Sequence, residues 1–169
     1  MFRLFTSTIA LFLGITVLTA TAAASEDAKS RPDENEIMEA MKKAAGMPAE
    51  RQSELVNTIA KRLSSSTTPR SDFMSCTGLA YLRNPIAQKC LAVAYEQGIG
   101  IVQDPMEAYV WYAIAQQNTP GESFPEVERL KLELVANYPA PSEEELEEMV
   151  QSQKARIAQY QKEGGKTAR

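Results

Sequence analysis

The stretch over residues 95–115 constrains the fold more than any other part of the sequence. It carries Gly98, Gly100 and Asp104-Pro105 between two runs whose apolar residues recur every three or four positions. That spacing is typical of helices. Glycine accepts the positive φ angles of a reversing chain, and Asp-Pro is a common helix start, with Asp as N-cap and Pro in the first turn. The stretch therefore predicts two helices joined by a tight turn.

Two ligand-binding interpretations of this turn fit the sequence less well. A dinucleotide-binding loop needs a third glycine after a strand, but Gln103 stands at that position and the preceding residues have a helical pattern. A calcium loop needs alternating oxygen ligands, which the residues around Asp104 do not supply. The packing interpretation explains more residues, because Ile101 can fill the space between the helices.

The rest of the chain also has helical spacing, and we find no run that alternates apolar and polar residues as a strand does. Helices are predicted at about 34–45, 48–63, 72–83, 85–97, 105–118, 124–138 and from 142 onward, with residues 64–71 as a loop. The predicted fold class is all-α, with antiparallel helical hairpins at 48–83, 85–118 and 124–163 stacked as a short α/α solenoid. Pro48, Pro85 and Pro125 begin these hairpins at intervals of 37 and 40 residues, which are typical of helical repeats.

The N-terminus has the pattern of a signal peptide. Arg3 precedes an uncharged, largely apolar segment over residues 4–20, and Ala22 and Ala24 are the small residues that a signal peptidase requires. We expect residues 1–24 to be removed between Ala24 and Ser25, which leaves 145 residues in the periplasm or outside the cell, with no membrane association. A retained anchor is the alternative. A flexible lead over 25–33, a helical domain over 34–163 and a frayed tail over 164–169 are then expected.

Composition excludes several classes of site. The sequence contains no histidine, so Ser-His-Asp and Cys-His catalytic groups and His-ligated metals are impossible within the chain. Loss of Arg3 with the leader leaves 17 basic and 22 acidic residues, a balance that argues against a nucleic-acid partner. We expect no cofactor, no metal site and no catalytic residue.

The two cysteines, Cys76 and Cys90, are candidates for a disulfide in an oxidising compartment. They lie eight residues before and six residues after Asn84, where Pro85 predicts a turn between antiparallel helices. The two positions are therefore roughly level in the hairpin. Two reduced, buried thiols are the alternative, and the absence of a Cys-x-x-Cys pattern argues against a redox-active pair.

The segment from Pro85 to Asn118 resembles the Sel-one-like repeat, a relative of the tetratricopeptide repeat. The residues that carry the resemblance are Leu91, Tyr95, Gly98, Gly100, Ile101, Asp104, Ala108, Trp111, Tyr112 and Ala115. Ala92 departs from the pattern, which usually has glycine there. The resemblance implies a scaffold of stacked helix pairs that contacts other proteins, and exported members resemble regulators or inhibitors of envelope proteins.

Two classes of function follow. The first is a non-catalytic binding or adaptor module for another envelope protein. Its contacts would come from Tyr81, Tyr95, Trp111 and Tyr112 if these rings were exposed, although their spacing favours the core. The alternative is a cell-envelope hydrolase like the β-lactamase-like members of the repeat family, with Glu96 and Asp104 as paired carboxylates. Those members carry many cysteine pairs, whereas this chain has one.

The last predicted helix starts with an acidic cluster, and this cluster has two interpretations. The cluster comprises Glu143, Glu144, Glu145, Glu147 and Glu148. Negative charge near a helix N-terminus complements the helix dipole, which explains the cluster without a ligand. The helix could alternatively be amphipathic and pair with another chain, in which case its deletion would abolish binding and leave the fold intact.

Overall fold

The computed structural model describes residues 30–136 and 141–167, with the side chains of 164–167 excepted, and every regular element in them is a helix. The α-helices are α1 Glu34–Ala45, α2 Ala49–Arg62, α3 Pro69–Tyr81, α4 Pro85–Gln97, α5 Pro105–Gln117, α6 Pro125–Ala136 and α7 Glu143–Thr167. A 3₁₀ turn, Leu63–Ser65, extends α2. The predicted all-α class is confirmed. None of these helices has the length and apolar character needed to cross a bilayer.

Side-chain caps explain why the predicted starts of three helices are right. Asn84 Oδ1 accepts a hydrogen bond from the Ala87 amide at 3.0 Å, and Asp104 Oδ1 accepts one from the Glu107 amide at 3.0 Å. At α7, Ser142 Oγ accepts from the Glu145 amide at 3.1 Å while Glu145 Oε2 accepts from the Ser142 amide at 2.6 Å. These bonds satisfy amides that the first turn leaves without helical partners.

Other boundaries differ from the predicted ones. The loop predicted over residues 64–71 is shorter, because Pro69 opens α3 at a position where its missing N–H costs no hydrogen bond. Helix α6 ends at Ala136, and Tyr138, predicted to close it, lies outside the described residues. Helix α7 continues to Thr167, into the tail that we expected to fray. Residues 1–29, including the expected cleavage site, also lie outside the described part.

The α4–α5 hairpin forms the centre of the molecule. Helix α3 packs on α4 and on α1, α2 covers α4 and α3, and α6 and α7 both pack on α5. Helices α6 and α7, which we expected to form a third hairpin over 124–163, therefore do not pair closely with each other. Each of them packs mainly on α5. Gly78 permits the close crossing of α3 and α1: a Cβ there would overlap the Ala40 carbonyl and lie 3.2 Å from the Met41 nitrogen.

Cys76 on α3 and Cys90 on α4 lie at disulfide-bonding distance, with their Cα atoms 6.2 Å apart. Their separation along the chain is 14 residues. Both side chains are buried between the two helices. The structure thus brings together the two cysteines that the spacing around Asn84-Pro85 places level in a hairpin.

We expect the Cys76→Ser/Cys90→Ser variant to lose about 3 kcal/mol of unfolding free energy, because a bridge around a loop of this length restricts the unfolded chain. Urea unfolding of both proteins, with and without reductant, measures the loss. Reductant should lower the stability of the wild-type protein towards that of the variant and leave the variant unchanged. A thiol titration of the denatured wild-type protein that finds two free thiols per chain would contradict the bridge.

Candidate functional site

The ten residues of the repeat-like pattern form a packing seam between α4 and α5. Eight of the ten residues are buried, and Tyr95, the most exposed of the buried side chains, is only 5% exposed, whereas Gly98 and Asp104 are half-buried. The Tyr95 ring meets Phe73 edge-on at a centroid distance of 5.4 Å, and Trp111 lies 5.5 Å from Tyr81. The aromatic residues considered as a possible binding face therefore belong to the core.

The turn between these helices depends on both glycines. Gly98 has φ +70° at the C-terminus of α4, and Gly100 has φ +72°. The turn approaches α3 closely, since a Cβ on Gly100 would overlap the Pro69 carbonyl and lie 2.8 Å from the Arg70 nitrogen. Ile101 is buried beneath the turn. The twin glycines thus allow the chain to reverse and also allow it to pack against the start of α3.

The two carboxylates considered for acid–base catalysis each have structural partners. Glu96 accepts a hydrogen bond from the Tyr112 hydroxyl at 2.8 Å and forms a salt bridge with Arg129. Burial, followed by the hydrogen bond to Glu96, raises the pKa of Tyr112. Asp104 caps α5 and lies 2.8 Å from Arg31. Glu96 is thus bound to α5 and α6, and Asp104 to its own helix and to the segment before α1.

A largely buried carboxylate lies in the first turn of α5. The Glu107 side chain is 14% exposed, and its Oε1 lies 2.9 Å from Arg31 Nη1. Burial raises the pKa of Glu107, and the positive charge of Arg31 opposes that rise.

Residues 31–33, which we expected to be flexible, are fixed against the domain in the structure: Pro32 is buried, and Asp33 caps α1 through a capping box with Glu36.

An open groove between α1, α2 and α3 has a volume of about 390 Å³. Volumes of roughly 300–1,000 Å³ are typical of ligand pockets. Its apolar surface comes from Ala40, Ala44, Met47, Leu55 and Met74, and its charged side chains are Lys43, Arg51, Arg62 and Asp72. We call this surface the basic groove, because it carries three cations and one carboxylate.

The single carboxylate in the basic groove is already neutralised. Asp72 is buried, and its Oδ1 accepts a hydrogen bond from Arg62 Nη2 at 2.7 Å. The Ser66 hydroxyl donates to the other oxygen at 2.6 Å. Lys43 and Arg51 are exposed on the rim. The groove is therefore positive, although the whole chain has a formal charge of −4.

A second groove, of about 250 Å³, lies between the end of α2, α4 and the segment before α6. Ile86, Val93 and Phe124 form much of its apolar wall, and Lys89 Nζ lies 4.3 Å from the centre of the Phe124 ring. Ile86 is one of the large apolar side chains that remain exposed. This groove carries fewer charged side chains than the basic groove does.

Within residues 30–136 and 141–167 no cluster of three or more acidic or cysteine side chains could hold a metal ion. No protein-family model, no curated protein and no solved structure matches the chain.

Proposed function

We propose that the protein is a non-catalytic binding or adaptor module built on stacked, Sel-one-like helical hairpins, and that its partner is another protein of the cell envelope. The observation that carries the proposal is the basic groove, an open surface with an apolar floor and a cationic rim. The resemblance to a repeat used for protein contacts supports the same function, because the repeat-like residues stabilise the scaffold and leave its surface for binding.

The groove favours a partner segment that is both acidic and amphipathic. Carboxylates of such a segment would meet Lys43 and Arg51. Asp72 is already paired with Arg62, and Arg51 forms only a solvent-exposed ion pair with Glu54, which a carboxylate of the partner could replace. Apolar side chains on its other face would cover Met47 and Met74. Methionine is flexible and polarisable, so a methionine-lined surface adapts to the shape of a bound helix.

An exported location is part of the proposal. The signal-like N-terminus supports it, and so does the pair of cysteines at bonding distance, because disulfides persist in oxidising compartments such as the periplasm. Fractionation of the native host, followed by sequencing of the mature N-terminus, tests the location. A mature chain that begins at Ser25 in the periplasmic or secreted fraction is the expected result.

We expect charge reversal in the basic groove to weaken partner capture by at least about tenfold. Tagged wild-type protein and the Lys43→Glu/Arg51→Glu variant would be compared in quantitative pull-downs from envelope extracts of the same host. Lys61→Glu/Lys162→Glu is the matched control, since it makes the same charge change at two exposed lysines that do not line the groove.

Capture that falls equally in both variants, or in neither, would contradict binding at the groove.

The hydrolase alternative is tested by assaying the same purified protein for turnover of cell-wall fragments and β-lactams. Turnover that disappears in Glu96→Gln or Asp104→Asn, while the fold is retained, would replace the adaptor proposal with an enzymatic one.

A further inference from the structure

Residues 30–33, which we call the N-terminal strap, bind across the start of α5. Arg31 Nη2 lies 2.8 Å from Asp104 Oδ2, and Arg31 Nη1 lies 2.9 Å from Glu107 Oε1. Pro32 is buried beside this fork. The Ser30 carbonyl accepts a hydrogen bond from Arg70 at 3.4 Å. A short extended segment is thus recognised mainly through one arginine and the proline that follows it.

The surface beneath Arg31 has the chemistry of an arginine site. Asp104 and Glu107 present two carboxylates from one helical turn. Glu107 also lines a small pocket whose wall includes Tyr95, Trp111 and a second cation, Arg156. Glu107 is largely buried, and a buried carboxylate without a cation nearby is destabilising. Removal of Arg31 would leave this carboxylate with one fewer positive neighbour.

We propose that the acidic first turn of α5 is a binding site for a guanidinium group, which Arg31 fills in this structure and which an arginine of a bound segment can fill in its place. Arginine fits the site better than lysine, because two nitrogens of its planar fork reach two separate carboxylates at once. An Arg-Pro sequence matches the site further, because proline is preorganised in an extended conformation and packs on aromatic walls.

Arg31 can be exchanged because its own ion pairs are open to solvent, although Pro32 is buried and Asp33 caps α1. The Arg31 side chain is 54% exposed, and ion pairs open to solvent contribute little to stability. The strap lies at the edge of the domain, so its departure need not separate α3, α4 and α5. Entry of a partner's arginine rests on the proposed binding function, whereas the guanidinium site itself can be tested without any partner.

The test is chemical rescue of Arg31→Ala with ethylguanidinium, which replaces the atoms that the substitution removes. Trp111 is the only tryptophan and lines the pocket, so its fluorescence reports on the site. We expect a saturable change in Trp111 emission in the variant and none in the wild-type protein. At ten times the dissociation constant, the variant should gain roughly 4–5 °C in Tm relative to wild type.

Two controls make the result specific. Arg51→Ala removes an exposed arginine that pairs with Glu54 at 3.0 Å outside this site, and ethylguanidinium should not rescue it. N-ethylurea, a neutral analogue of similar shape, should fail to rescue Arg31→Ala. An equal response of the two variants, an equal effect of N-ethylurea, or no response of Arg31→Ala would overturn the proposal. The last result would mean that Arg156, the other cation acting on Glu107, takes over the carboxylate.

Discussion

A chain that ends before Ser142 is expected to lose its cooperative unfolding transition. Helix α7 buries Leu146, Val150, Ile157 and Tyr160 against the rest of the protein. Each such side chain contributes about 1.5–3 kcal/mol when buried, so the loss approaches the whole stability of an ordinary domain, roughly 5–15 kcal/mol. Urea and thermal unfolding followed by circular dichroism measure the change against the full-length protein.

Point variants separate the role of the core from a general effect of truncation. Leu146→Ala removes a fully buried side chain and should cost about 2–5 kcal/mol, whereas Glu148→Ala, on the exposed face of α7, should stay within about 0.5 kcal/mol. If the truncated chain unfolded cooperatively near the full-length midpoint but no longer captured its partner, α7 would be a partner helix, and its assignment to the core would be wrong.

The second large effect is expected for Gly100→Ala. The substitution forces an alanine to adopt φ +72° and places its Cβ against the backbone of Pro69 and Arg70, which cannot move as a flexible side chain can. The left-handed conformation costs about 1–2 kcal/mol and overpacking a further 1–3 kcal/mol, so we expect a loss of about 2–5 kcal/mol. The midpoint of urea unfolding at constant m-value measures it.

Gly121→Ala isolates the conformational part of this cost. Gly121 has φ +88°, yet a Cβ there would meet nothing within 4 Å. Its loss should therefore be about 1–2 kcal/mol, clearly below that of Gly100→Ala. Equal losses at the two positions would show that the turn does not press against the start of α3 in solution.

Local sequence patterns determined how well each helix could be predicted. Asn84, Asp104 and Ser142 cap helices through bonds that reach only two or three residues, so the starts of α4, α5 and α7 were predictable. The start of α3 was missed because the polar residues around Ser66 suggested a loop, and Thr68 forms no side-chain cap there. Proline at the first helical position was the available clue.

Long-range contacts explain what the sequence did not predict. Arg31 meets Asp104 across 73 residues, and the basic groove needs α1, α2 and α3 to converge. The crossing of α1 over α3 depends on the fit between Gly78 and Ala40, which no periodicity encodes. The repeat-like pattern could identify the scaffold residues, but the cations of the groove, scattered over two helices, form no motif.

Site-specific photocrosslinking from the basic groove tests the proposed function most directly. A photoreactive residue at Ser71, which lines the groove and is exposed, would be compared with one at the exposed Lys162, away from it. We expect one partner protein to crosslink from position 71, through an acidic amphipathic segment, and to be lost in Lys43→Glu/Arg51→Glu. No adduct from position 71, equal adducts from both positions, or attachment to a segment without acidic residues would contradict the proposal.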